Sequence, residues 1–105
     1  MSRVRIAILD TGVDHKHSKI SGAEFGDTPV IVQCRSFVGG FEGHNDHSRT
    51  QDNDGHGTHI VGLVLQLAPH AEIYVAKISE TRQVPVDSRI DEVSIHSTRQ
   101  GFLIV

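Results

Sequence analysis

The order of apolar and polar positions predicts a strand, a helix and a second strand. Residues 3–9, RVRIAIL, alternate at first and end in an aliphatic run, which is typical of a buried strand in a parallel sheet. Residues 55–67, GHGTHIVGLVLQL, are apolar on every side and stop before Pro69, which predicts a buried helix capped by Asp54 or a neighbour. Residues 72–78, EIYVAKI, predict the second strand. This order indicates an α/β fold with a parallel sheet.

The other segments carry weaker signals. Residues 30–32, VIV, predict a short strand. Residues 12–22 and 39–55 are rich in turn-forming or polar residues and are expected to form loops, the first one anchored on the core by Ile20. Near the carboxyl end, residues 88–98 predict a short helix, and the chain then closes in an apolar stretch, FLIV.

Composition narrows the class of protein. The 105 residues make one domain at most, and 37% hydrophobic with 22% charged residues is typical of an ordered globular segment. The net charge of −3 comes from interspersed acidic and basic residues, so we expect neither a nucleic acid nor a membrane surface as a partner.

The apolar run at the amino end is too short for a signal peptide or a membrane span, so we expect any export signal to lie outside this chain. The single cysteine, Cys34, is expected to be a small buried side chain.

The tripeptide Asp10-Thr11-Gly12 falls at the end of the first predicted strand and fits two proteolytic chemistries. Its carboxylate could activate water as half of an aspartic protease dyad, or it could orient a histidine beside a nucleophilic serine. Aspartic proteases place this tripeptide in an all-β fold and support it with a later turn that reads apolar-apolar-Gly. In this chain a helix is predicted after the tripeptide, and in residues 101–105, GFLIV, the glycine precedes the apolar residues instead of following them. The pattern therefore favours the second chemistry.

The stretch DNDGHGTH, residues 52–59, also resembles half of a calcium loop. Asp52, Asp54 and His56 occupy ligand offsets, but a histidine is a poor ligand for a hard cation, and Leu63 stands where a bidentate glutamate is required. The stretch therefore does not complete a calcium loop.

Zinc and phosphate sites fit the sequence no better. Four histidines lie close together in sequence, but two of them are three residues apart without an intervening glutamate and no thiolate group supports them; they are His44, His47, His56 and His59. Gly55 and Gly57 lack the third glycine of a dinucleotide loop, and GGFEGHND lacks the lysine of a phosphate loop. The sequence thus predicts neither a metal nor a cofactor.

Two segments together resemble the subtilase family of serine proteases, peptidase family S8. IAILDTGVDHKHSKI is similar to the aspartate segment of the family, although its closing His-Pro-x-Leu element reads HSKI, without the proline. DGHGTHIVGLVLQLAPHAEIYVAKI is similar to the histidine segment and its helix. The resemblance covers residues 3–78, whereas residues 79–105 diverge. It implies a partial subtilisin-like three-layer α/β fold in which Asp10 and His56 are catalytic.

The resemblance also gives roles to neighbouring residues. Asp10 would orient His56, which would act as the general base from the first turn of a helix. Thr58 and His59 are expected to be structural, and Asp14 to bond within its loop. The remaining histidines are expected to face solvent; they are His15, His17, His44, His47, His70 and His96.

The serine segment of the family, Gly-Thr-Ser with a following proline, does not occur in these 105 residues. The chain is therefore expected to be the amino-terminal part of a catalytic domain, residues 1–105, and inactive by itself because the nucleophile and the oxyanion donors are missing. Its expected partners are a peptide or protein substrate in the full-length protein and the missing carboxyl-terminal part. The alternative is a non-catalytic pseudoprotease or peptide-binding module.

Overall fold

The sheet is parallel throughout and has four strands in the computed structural model, which describes residues 3–39, 43–83 and 97–105. The elements in chain order are β1 (Arg5–Asp10), α1 (Ser18–Phe25), β2 (Ile31–Ser36), α2 (His47–Thr50), α3 (His56–Leu67), β3 (Glu72–Lys77) and β4 (Leu103–Ile104). The strand order in space is β2-β3-β1-β4. The predicted α/β class with a parallel sheet is confirmed.

The two faces of the sheet differ in what covers them. Ile8 in β1 stands opposite Val75 in β3, and both are buried in one apolar core. Helices α1 and α3 contact each other and the sheet, so they lie on the same face. On the other face the guanidinium of Arg5 lies 4.1 Å from the ring of Phe102, which meets Tyr74 edge to face. The continuous aliphatic run of β1 therefore reflects burial from both sides.

The loop prediction for residues 12–22 is wrong, because α1 begins at Ser18. This helix buries one side chain, Ile20, so its sequence shows no clear helical period. His17 caps it by accepting a hydrogen bond from the backbone N–H of Lys19 at 3.2 Å. The expected anchoring of the segment by Ile20 is confirmed, since that side chain is 1% exposed.

Other segments also depart from the expectations. The predicted loop 39–55 contains the short helix α2, and the apolar end of the chain adds β4 beside β1. The short strand expected at residues 30–32 is present but runs on to Ser36 as β2. Most of the helix predicted at 88–98 lies outside the described residues.

Helix α3 follows the histidine motif as expected, but only its inner face is covered. Val61 is fully buried, whereas Leu67 is 85% exposed and Leu63 is exposed as well. The apolar residues on the outer face of α3 are therefore in contact with solvent. Among the described helices, none combines the length and the apolarity needed to span a membrane.

Candidate active site

The side chains of Asp10 and His56 meet at the carboxyl-terminal edge of the sheet. Asp10 is the last residue of β1, a strand with neighbours on both sides, and His56 is the first residue of α3. The Nδ1 atom of His56 lies 2.8 Å from Oδ1 and 2.9 Å from Oδ2 of Asp10. The structure thus joins two residues that are 46 positions apart and that the sequence singles out together.

This contact determines which ring nitrogen of His56 can act as a base. A carboxylate only accepts hydrogen bonds, so Nδ1 carries the proton and Nε2 presents its lone pair. The histidine side chain is 39% exposed, whereas that of Asp10 is 14% exposed and also accepts the backbone N–H of Thr11 at 2.8 Å. A partly buried carboxylate thus orients a ring that solvent or a substrate can reach, which suits proton abstraction from a hydroxyl group.

A close approach of two backbone segments sets the distance between these residues. The N–H of Gly57, in the first turn of α3, donates to Oγ1 of Thr11 at 2.9 Å. A Cβ atom at position 57 would collide with the carbonyl oxygen of Gly12 and lie 2.9 Å from Thr11 Oγ1. Glycine at position 57 therefore allows the helix to start against the loop that follows β1.

The carboxylate of Asp52 ties these segments together and is 7% exposed. Its Oδ1 accepts the hydroxyl of Thr11 at 2.8 Å and the backbone N–H groups of Asp54 and Gly55 at 3.0 and 2.8 Å. Its Oδ2 accepts the backbone N–H and the hydroxyl of Thr58 at 2.8 and 2.6 Å. Asp52 therefore anchors the amino end of α3 to the loop after β1.

These hydrogen bonds also decide the charge of Asp52. Burial by itself raises the pKa of this carboxyl, but the bonds from Thr58, Gly55 and Thr11 outweigh it and lower the pKa from 3.8 to about 2. Asp52 is thus an anion near neutral pH at the positive end of a helix. The sequence indicates it only as part of an incomplete calcium template, whereas its oxygens accept hydrogen bonds from two separate segments, Thr11 and residues 54–58.

The other polar residues of the two motifs hold the loop and the helix start in place. Thr58 Oγ1 accepts the backbone N–H of Asp14 at 2.8 Å, and Asp14 accepts the side-chain amide of Gln51 at 2.9 Å. Asp54 accepts the backbone N–H of His56 at 3.1 Å, but the N-cap residue is Gly55, which has no capping side chain, so Asp54 is not the cap. The geometry therefore agrees with structural roles for Thr58 and Asp14.

Lys77 is a buried cation that the sequence reasoning missed. It stands opposite Asp10 in the β1–β3 register and is 1% exposed. Its Nζ donates to the backbone carbonyl of Gln51 at 2.6 Å and lies 3.1 Å from a carboxylate oxygen of Glu80. The sequence pattern indicates only that Lys77 lies near the end of a strand, whereas in the structure it holds the backbone beside Asp52.

One histidine departs from the expected exposure. The side chain of His15 is 6% exposed, because its two nitrogens contact Glu24 at 2.8 Å and Thr50 at 2.7 Å. The expectation that it faces solvent is wrong, since its partners lie 9 and 35 positions away. Four of the others are exposed, namely His17, His44, His47 and His70. His96 lies outside the described residues.

The chain is similar to one protein family and to several of its members. Residues 2–100 match the family described as the Subtilase family. The chain is 36% identical over 87 residues to the alkaline protease of Alkalihalobacillus alcalophilus and to Subtilisin Savinase of Lederbergia lenta, with 73% of this chain covered in both. It is 31% identical over an alignment of 84 residues to the intracellular serine protease of Paenibacillus polymyxa, with 71% of this chain covered. No solved structure gives a significant match.

The matched region is a small part of these relatives. It spans 18% of the alkaline protease, 26% of Subtilisin Savinase and 23% of the intracellular serine protease. The similarity therefore concerns one segment of much longer chains.

Proposed function

The chain belongs to the subtilase family, and on that premise we propose that it supplies the aspartate and the histidine of a serine endopeptidase. In this proposal His56 Nε2 takes the proton of a serine hydroxyl as that oxygen attacks a peptide carbonyl. Asp10 holds the ring in the required tautomer and stabilises the imidazolium that forms. The substrate is a peptide or protein, and Asp10 and His56 are the catalytic residues.

The observation that carries the proposal is the hydrogen bond between Asp10 and His56 Nδ1, at 2.8 Å, at the carboxyl-terminal edge of a parallel sheet. Ligands of open α/β sheets collect at this edge. The names of the relatives, alkaline protease and intracellular serine protease, support the same reaction. An aspartic protease dyad receives no support, because the carboxylate of Asp10 faces an imidazole and not a second carboxylate.

The proposal includes a prediction for the chain in isolation. No Gly-Thr-Ser sequence occurs in the 105 residues, so the nucleophile of the triad would have to come from outside them. Without a nucleophile and oxyanion donors, Asp10 and His56 have only water to activate. The purified chain should therefore neither hydrolyse a casein substrate nor react with a serine-directed fluorophosphonate probe. Specific labelling at one site per chain would contradict this prediction.

A chimera tests the positive half of the proposal. Residues 3–78 would replace the matching segment of Subtilisin Savinase, which retains its own serine segment. The chimera should hydrolyse peptides, and Asp10→Asn should lower its kcat by about 10⁴-fold, as expected when the histidine loses its orienting carboxylate. Asp27→Asn, at an exposed carboxylate, is the matched control and should leave kcat unchanged.

The chimera also separates the proposal from the non-catalytic alternative. A folded chimera that binds a peptide inhibitor without turnover, or whose kcat is indifferent to Asp10→Asn, would favour a pseudoprotease or peptide-binding module. Folding would be checked by circular dichroism and by labelling of the serine from Savinase, which needs an intact oxyanion site.

A further inference from the structure

Three side chains with metal-binding atoms converge away from the proposed active site. They are His15 in the loop after β1, Glu24 in α1 and Cys34 in β2, and we refer to them as the His15 cluster. One ligand atom from each lies within 4.8 Å of the other two. The side chains of His15 and Glu24 are 6% and 9% exposed, and Cys34 is 8% exposed. Such a group of nitrogen, oxygen and sulfur ligands is enclosed by protein on most sides.

Thr50 orients the imidazole of this cluster. Its hydroxyl lies 2.7 Å from Nε2 of His15 and 3.3 Å from the backbone carbonyl oxygen of Asp46. Nδ1 lies 2.8 Å from Glu24, and because a carboxylate only accepts hydrogen bonds, Nδ1 donates its proton to Glu24. When a metal ion replaces that proton, Nε2–H is placed to donate to Thr50. Metal-ligating histidines almost always donate their second N–H to a neighbouring acceptor in this way, which fixes the ring.

His47 stands at the entrance to the cluster. His47 stacks on the ring of His15 with the centroids 3.8 Å apart, and its Nε2 lies 3.4 Å from the second oxygen of Glu24. Its side chain is 51% exposed. A cavity of about 250 Å³ reaches Glu24, Cys34 and His47 from the surface, so an ion has a path into the cluster.

We propose that His15, Glu24 and Cys34 bind a divalent transition-metal ion, with Zn²⁺ as the best match and His47 or a water molecule as the fourth ligand. Thiolate, imidazole and carboxylate are the ligands that zinc takes in proteins, and a thiolate discriminates against calcium and magnesium. Tetrahedral zinc with bonds of 2.0–2.3 Å sets its ligand atoms roughly 3.3–3.7 Å apart. The cluster reaches that spacing by small side-chain rotations.

Binding exchanges protons for the metal. The Cys34 thiol releases its proton to solvent as the Zn–S bond forms. The ion also displaces the proton that Nδ1 of His15 donates to Glu24, and the neutral ring then carries its one proton on Nε2, next to Thr50. The ion then connects the loop after β1 to α1 and β2, and this loop directly follows Asp10. The sequence predicted no metal because the histidines that are close in sequence lack a glutamate or a thiolate at the spacing of a zinc site, whereas the residues of the His15 cluster are spread over 20 positions.

Cobalt titration is a site-specific test, because the chain has one cysteine. The full chain, freed of metal with a chelator, would be titrated with Co²⁺ near neutral pH. We expect one equivalent to give a thiolate-to-cobalt charge-transfer band together with the visible bands of a tetrahedral ion. One equivalent of Zn²⁺ should remove both. Absence of the charge-transfer band from the folded chain would overturn the proposal.

Variants distinguish residues that bind the metal ion from residues that do not. Cys34→Ser should abolish the charge-transfer band, and Glu24→Gln should weaken Co²⁺ binding by at least about 100-fold, since loss of an outer partner alone costs about 10- to 100-fold. His70→Asn, at an exposed histidine just before β3, should bind like the parent chain. Equal binding by the parent chain and by Glu24→Gln would contradict the assignment.

A measurement on the unmodified chain avoids variants that fail to fold. Zn²⁺ should slow the alkylation of Cys34 by iodoacetamide at least tenfold, as read by mass spectrometry, and should raise the midpoint of thermal unfolding because it binds the native state. A chelator should reverse both effects, and Mg²⁺ should produce neither. Equal alkylation rates with and without Zn²⁺ would overturn the proposal even if every variant unfolded.

Discussion

Two histidines of this chain each contact a carboxylate through Nδ1 at 2.8 Å, yet their surroundings differ. In the Asp10–His56 pair the histidine side chain is 39% exposed, whereas in the His15–Glu24 pair it is 6% exposed. The second nitrogen of His15 is bound by Thr50, and Cys34 lies close by. The first pair is open to a reacting group, and the second is enclosed with further ligands.

The difference shows that the contact between histidine and carboxylate does not by itself specify a chemistry. An imidazole with one ring nitrogen hydrogen-bonded and the other exposed is suited to proton transfer. An imidazole with partners on both ring nitrogens is suited to a fixed structural or metal-binding role. Substitutions or a change of pH that affect one region at a time test this difference, and the largest effect is expected at Asp52.

Asp52→Ala should have the largest effect on stability. It leaves five donors at the start of α3 and in Thr11 without their acceptor, and removing one partner of a buried charged network costs about 3 to 5 kcal/mol. Urea denaturation would measure the loss. Asp27→Ala, at an exposed carboxylate, is the control and should change the free energy of unfolding by less than about 0.5 kcal/mol. A loss below about 1 kcal/mol for Asp52→Ala would contradict the anchoring role.

Gly57→Ala should separate Asp10 from His56, because the new methyl group meets the backbone of Gly12. Overpacking against a backbone typically costs about 1 to 3 kcal/mol. Gly62→Ala is a matched control in the same helix, where an added Cβ has no neighbour within 4 Å, so this change should stabilise the chain slightly. Thermal unfolding of both variants distinguishes a steric effect from helix propensity, and equal shifts would argue against the close approach.

Acid should weaken the anchored region through Asp52. Its pKa is lowered in the folded chain, from 3.8 to about 2, so its stabilising contribution is complete above pH 3.8 and is lost as the pH falls towards 2. The effect is smaller than that of Asp52→Ala, because a neutral carboxyl keeps its shape and some of its hydrogen bonds. The stability difference between the parent chain and Asp52→Asn should narrow over this interval. A constant difference from pH 5 to pH 2 would show that Asp52 titrates normally.

Thr50→Val should have the smallest effect and should act on the His15 cluster. The side chain is fully buried and valine has nearly the same shape, but a metal-bound His15 loses the acceptor for its Nε2–H. Co²⁺ affinity should fall about tenfold, the lower end of the cost of an outer partner. Thr28→Val, at an exposed threonine, should leave the affinity unchanged. Tighter Co²⁺ binding by Thr50→Val would show that the hydroxyl restrains the ring in the wrong orientation.

The sequence predicted the regular core of the fold because burial leaves a pattern there. The aliphatic run that ends at Asp10 and the strand that ends at Lys77 both lie in the middle of the sheet. Helix α1 was missed because Ile20 alone is buried in it, and α2 is only four residues long. Elements that bury little apolar surface leave little periodicity to detect.

The site residues that lie within local sequence motifs could be predicted. Those whose roles depend on partners far away in the sequence could not. Asp10 and His56 sit in two recognisable segments, so they could be paired from the sequence. The role of Asp52 depends on donors that include Thr11, 41 positions away, and the burial of His15 depends on Glu24 and Thr50. Only the folded chain brings these partners together.

The central claim is that Asp10 holds the proton of His56 on Nδ1 and leaves Nε2 as the base. A long-range ¹H–¹⁵N correlation spectrum of the chain at mildly alkaline pH reads the protonation state of each ring nitrogen. We expect His56 to show a protonated, strongly deshielded Nδ1–H and an unprotonated Nε2, and Asp10→Asn to remove this Nδ1–H signal. A proton on Nε2 in the parent chain, or a His56 spectrum unchanged by Asp10→Asn, would contradict the account.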